Sequence, residues 1–159
     1  MDPFEALGLP RAWRISAERV RAAQRRIAAA GHPDRFTDPA ARAQAQARIA
    51  ASNQAAAALL EPLGCGEALL RLLAPQPGLA EPRPQPAFLV RMMELRERVD
   101  VEGLDAVEPD LREIEAAADA DAEARFNELL SGDANAWLGA ADALGRLRAV
   151  ARARGVGVP

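Results

Sequence analysis

The 159-residue chain has no lysine and no tyrosine, one histidine, one cysteine and 4% aromatic residues. A single cysteine, Cys65, forms no internal disulfide, and no extracellular disulfide framework is expected. One histidine and one cysteine fall short of the three or four ligands of a zinc site, so no metal and no cofactor is expected. No run of about 18 apolar residues occurs, and none of the chain is expected to span a membrane. The start, Met1-Asp2-Pro3-Phe4-Glu5, is acidic and lacks the layout of a signal peptide. With the lone thiol it points to a cytoplasmic location. A net charge of −3 and a pI near 5.3 speak against a general nucleic-acid or anionic-membrane binder.

Alanine, in contrast, supplies about a quarter of the residues, and every basic residue is arginine. Alanine is the strongest helix former, valine and isoleucine are scarce, and no segment alternates with the period of a strand, so the fold is expected to be all-α. Asp2-Pro3 caps a short helix over Phe4–Leu7, which Gly8-Leu9-Pro10 stops. A second helix runs from Ser16 to about Ala30, with Val20, Ala23 and Ile27 on its buried stripe and Arg19, Arg21, Arg25 and Arg26 elsewhere. Gly31-His32-Pro33 ends it. A long Ala-rich helix follows from about Pro39 to Leu60, and a short one from Glu67 to Leu73. Residues 74–86 contain five prolines and read as a semi-rigid spacer. Beyond it, patterns over about 87–102, 108–131 and 133–154 predict a three-helix bundle, its neighbours made antiparallel by turns at Gly103 and Gly132. The expected domains are 1–73, a linker over 74–86, and 87–159.

The turn His32-Pro33-Asp34 sits between the arginine-covered helix and the long helix. Proline stiffens such a loop and presents its neighbours at fixed angles, which suits contact with another molecule. A plainer reading is that Pro33 only breaks the helix, Asp34 or Asp38 caps the next, and His32 is incidental. His32 and Asp34 could also serve as a base with its orienting carboxylate, but no nucleophile accompanies them, because Cys65 lies in an Ala/Leu-rich stretch that favours a small buried thiol. No Gly-rich phosphate loop occurs. The chain is therefore not expected to be an enzyme.

His32-Pro33-Asp34 between a basic helix and a long partner helix resembles the J domain of DnaJ-type co-chaperones. The wording narrows this further: Phe4-Glu5-Ala6-Leu7-Gly8-Leu9-Pro10, His32-Pro33-Asp34-Arg35-Phe36, Asn53-Gln54-Ala55, Pro62-Leu63, Phe88-Leu89 and Met93-Glu94-Leu95-Arg96-Glu97 are similar to the HscB family of iron–sulfur cluster co-chaperones. The resemblance implies an N-terminal J domain and a C-terminal three-helix bundle. It implies that His32, Pro33, Asp34, Arg21, Arg25 and Arg26 bind a DnaK-class, HscA-like ATPase chaperone, Asp34 pairing with a cation and the arginines meeting an acidic surface. It further implies that Leu89, Val90, Met93, Glu94 and Glu97 bind an IscU-like iron–sulfur cluster scaffold protein. Two rivals remain: a J-domain protein for another client, and a helical adaptor in which His-Pro-Asp is coincidental. Some family positions differ here. Aromatics are replaced by Gln24, Gly31 and Ala56, a bulky scaffold-contact residue by Ala149, and an acidic one by Val101.

The pattern of residues 87–102 supports a binding role independently. Phe88, Met92, Leu95 and Val99 form one stripe, enough to seat the helix in a bundle. Leu89, Val90 and Met93 lie off that stripe beside Glu94 and Glu97, a surplus of apolar surface of the kind that marks a partner site. The alternative is that both stripes are buried.

Overall fold

The computed structural model describes residues 1–32, 35–74 and 84–155. Pro33 and Asp34, and most of the proline-rich stretch, lie outside these. Seven helices run in the order α1 (Pro3–Leu7), α2 (Ala17–Ala30), α3 (Pro39–Leu60), α4 (Gly64–Leu73), α5 (Pro86–Glu102), α6 (Leu104–Leu130) and α7 (Trp137–Ala153), with a 3₁₀ turn at Ala134–Ala136. The described residues include no strand, so the fold is all-α. Two compact units divide the chain, Met1–Ala68 and Leu69–Pro159.

In the first unit each helix begins on a residue that satisfies its free amides. Asp2 accepts from the Phe4 and Glu5 amides at 2.8 and 3.3 Å, Ser16 from Arg19 at 3.3 Å, and Asp38 from Ala41 at 2.9 Å. Gly8, at φ 62°, closes α1 in the left-handed region. Phe4, Leu7, Val20, Ala23, Ala45, Ala55, Ala56 and Leu59 are buried. The helices α2 and α3 form an antiparallel hairpin: Gln24 faces Asn53, and Gly31 faces Ile49. Where the family resemblance places aromatics, the hairpin uses other means. Gln24 Nε2 donates to Asn53 Oδ1 at 2.9 Å, and Ile49 fills the space beside Gly31, where an added Cβ would come within 3.0 Å of it. Ala56 is buried. Helix α4 starts three residues earlier than the sequence pattern predicts. Gly64 makes this possible, because a Cβ there would lie 1.8 Å from the Ala58 carbonyl oxygen.

The second unit packs α5, α6 and α7 around Met92, Leu95, Val107, Leu111, Ile114 and Val150, with Phe88, Val99 and Ala149 half-buried against them. Further along, Ala118, Ala122 and Phe126 of α6 and Trp137, Ala141 and Leu144 of α7 are buried, as their spacing predicts. Gly103 and Gly132 take φ of 89° and 103° at the two turns. Helix α6 starts at Leu104 rather than 108. Glu108-Pro109 has the look of a helix start, but Pro109 lies inside the helix. So near the N-terminus it forfeits one backbone bond, that to the Asp105 carbonyl. Arg154 ties the end of α7 to α6 through Glu108 at 3.1 Å and Glu115 at 2.8 Å. The hydrogen bond from Arg154 holds the Glu108 carboxyl below its usual range.

Candidate partner-binding surfaces

The arginines of α2 do not form one patch. Val20 and Ala23 bury one side of the helix. Arg21 and Arg25, one turn apart, are exposed and have no hydrogen bond or ion pair among the described residues. Arg26 lies about 100° further around the helix. Its Nη2 reaches the Leu7 carbonyl at 3.5 Å, toward the end of α1. Arg26 is thus partly engaged in holding α1 against α2, whereas Arg21 and Arg25 present two free guanidinium groups. Past the end of α2, His32 is exposed, and its carbonyl accepts from the Arg35 amide at 3.0 Å. The Arg35 side chain turns back to the Ala29 carbonyl at 3.3 Å, and Arg42 reaches the Phe36 carbonyl at 3.0 Å. The expected contacts Pro33 and Asp34 lie outside the described residues.

On α5 the two apolar stripes have opposite fates. Met92 and Leu95 enter the bundle core, and Phe88 and Val99 lie half-buried beside them. Leu89, Val90 and Met93 are 45, 56 and 65% exposed, so the reading in which both stripes are buried does not hold. Glu94 and Glu97 are exposed alongside them. Arg98 is drawn to the other side, with Glu102 at 3.1 Å and Asp110 at 2.8 Å. The exposed face therefore combines apolar surface with negative charge. Val101, 86% exposed, falls four residues beyond Glu97 on the same face. It was not among the expected contacts, although that spacing could have flagged it. Ala149 is half-buried against the core.

Cys65 is buried at the wall of a cavity of about 420 Å³ lined also by Trp13, Ile15, Leu59 and Leu63. Burial pushes its thiol up from the usual range, and the sulfur lies 3.8 Å from the Leu59 carbonyl oxygen, which makes it a poor nucleophile. None of the candidate binding residues lines that cavity. Among the described residues no three His, Cys, Asp or Glu side chains gather as a metal site, and no helix is long and apolar enough to cross a membrane.

A helical hairpin with a basic helix leading to a His-Pro-Asp turn, coupled to a helical bundle that leaves an apolar stripe uncovered, describes a J-domain co-chaperone. Comparison with known proteins makes this specific. The family model described as "HSCB C-terminal oligomerisation domain" matches residues 84–153. A co-chaperone protein HscB homolog of Burkholderia mallei is 33% identical over 162 residues, covering 94% of this chain and 87% of the relative. One of Bordetella petrii is 35% identical over 106 residues, covering 62% of this chain and 60% of the relative. Among solved structures, the chaperone HscB of Vibrio cholerae superposes with a TM-score of 0.69 at 25% identity, covering 98% of this chain and 94% of that one. Human HscB shares the fold, with a TM-score of 0.64 at 21% identity over 98% of this chain and 79% of its own. The chain belongs to the HscB family of co-chaperones.

Proposed function

We propose that this co-chaperone stimulates the ATPase of a specialised DnaK-class, HscA-like chaperone and delivers to it an IscU-like iron–sulfur cluster scaffold protein, supporting iron–sulfur protein maturation. On this reading the chain performs no chemistry of its own. His32, Pro33 and Asp34 trigger the ATPase, while Arg21 and Arg25 guide docking on an acidic surface, where charge complementarity chiefly sets encounter rate and orientation. Arg26 contributes less, because it already engages the Leu7 carbonyl. The scaffold docks on Leu89, Val90, Met93, Glu94 and Glu97. Residues 74–86 act as the spacer between the two activities.

The observation that carries this reading is the divided role of α5: one stripe supplies the bundle core, and a second, equally apolar stripe stays open beside two acids. Folding alone does not require the second stripe. The experiment is a single-turnover ATPase assay of the DnaK-class chaperone from the same cell, with the scaffold present. Wild type accelerates hydrolysis. Asp34→Asn abolishes the acceleration while retaining helicity and scaffold binding. Absence of stimulation by the wild-type chain would refute the proposal.

A further inference from the structure

The apolar face of α5 runs one turn beyond the residues assigned to the scaffold. Val101 is more exposed than Leu89, Val90 or Met93. A single exposed valine is ordinary on a protein surface, so register is the informative feature here. Positions 90, 93, 94, 97 and 101 recur at the three- and four-residue spacing that keeps side chains on one face of a helix. The helix continues through Glu102, and the Gly103 amide still donates to the Val99 carbonyl at 3.0 Å, so the last turn is intact. From Leu89 to Val101 the face spans about 18 Å.

The charges around Val101 indicate what can cover it. Glu94, Glu97 and Asp100 are exposed on this part of the helix, and the nearby Arg98 is turned toward Glu102 and Asp110. Basic groups of a partner gain from the acids in the middle of the face. At its end they would meet an isopropyl group and be stripped of water without a counter-charge. An apolar side chain there gains by excluding water from Val101. We infer that Val101 is a specificity-determining contact, and that the scaffold covers it with an apolar side chain rather than a cation. The inference rests on the proposed docking of the scaffold on α5 and adds that the chain discriminates against scaffolds carrying a basic group at the matching position.

The test measures affinity of the full-length chain for the scaffold protein of the same cell, for wild type and for Val101→Ala, Val101→Gln, Val101→Glu and Met93→Ala. Val101 is exposed enough that all its variants keep wild-type helicity. The expected result is a loss of a few-fold for Val101→Ala and roughly tenfold or more for Val101→Gln and Val101→Glu alike, persisting in high salt. Tighter binding by Val101→Glu would overturn the inference, because it would reveal a cation at that point. So would unchanged binding by all three Val101 variants while Met93→Ala weakens it, a result that leaves the docking reading standing. If Met93→Ala also binds like wild type, the docking reading itself falls and takes this inference with it. If Val101→Glu instead disperses a self-associated form of the chain in sedimentation, with scaffold affinity unchanged, the occupant is a second copy and the inference is wrong.

Discussion

Met92 and Met93 are neighbours in sequence with opposite surroundings, and replacing each by alanine should separate folding from binding. Met92 is 8% exposed and sits in the core cluster with Leu95, Leu111 and Val150. Its truncation removes buried atoms and leaves a cavity, a change that costs about 2–4 kcal/mol. In a bundle of this size that lowers the melting temperature by on the order of 10 °C. Met93 is 65% exposed, so the folded chain loses little when it is shortened. Full burial of a methionine contributes about 1.5–3 kcal/mol, and covering the two-thirds still open would contribute about 1–2 kcal/mol. Met93→Ala should therefore weaken scaffold binding roughly five- to thirtyfold. Thermal melts followed by circular dichroism, and titration calorimetry with the scaffold well below either melting point, give the two readouts. The expected pattern is crossed: Met92→Ala melts early but binds normally, and Met93→Ala melts normally but binds weakly. A Met93→Ala chain with lowered stability and unchanged affinity would refute the assignment of the two stripes.

Two further outcomes concern the first unit. Although burial raises the Asp2 carboxyl's pKa, hydrogen bonds from the Arg11 side chain and from the Glu5 and Phe4 amides outweigh it and hold the carboxyl below its usual 3.8. Its contribution to stability is thus complete above that value and is lost as pH falls through the lower, folded-state pKa. Wild type should then lose its stability margin over Asp2→Asn as melts are moved from pH 5 toward pH 2, and a margin independent of pH would contradict this. Gly64→Ala should destabilise the unit by about 3 kcal/mol or more, because the added carbon meets backbone rather than a movable side chain. An unchanged melting temperature would show that the α3–α4 turn shifts freely.

The helices were legible because their signals are local. Asp2, Ser16 and Asp38 each stand one residue before a helix and cap it, and Leu111, Ile114, Ala118, Ala122 and Phe126 repeat with the helical period. The two misplaced starts had non-local causes. Glu108-Pro109 carries the local marks of a beginning, but the helix already turns at Gly103, whose φ of 89° sets the direction of the chain. Gly64 gave no local hint of a start. Its role is set by the Ala58 carbonyl, which approaches through tertiary packing. The Gln24–Asn53 bond is likewise a property of two helices placed side by side, and neither residue alone announces it.

The same distinction governs the binding surfaces. A sequence shows that α2 carries more arginines, and α5 more apolar residues, than one packed face requires. It does not show which of them the fold itself takes up. Arg26 and Arg25 are adjacent, yet one reaches the end of α1 and the other has no partner among the described residues. Met92 and Met93 differ in the same way. Residues committed to packing or capping make a weaker contribution to recognition, because an incoming partner must first replace the contacts they already have. Arg21, Arg25, Leu89, Val90, Met93 and Val101 carry no such cost, and for that reason they, rather than the full set of charged and apolar positions on these helices, are where substitutions should change binding without changing the fold.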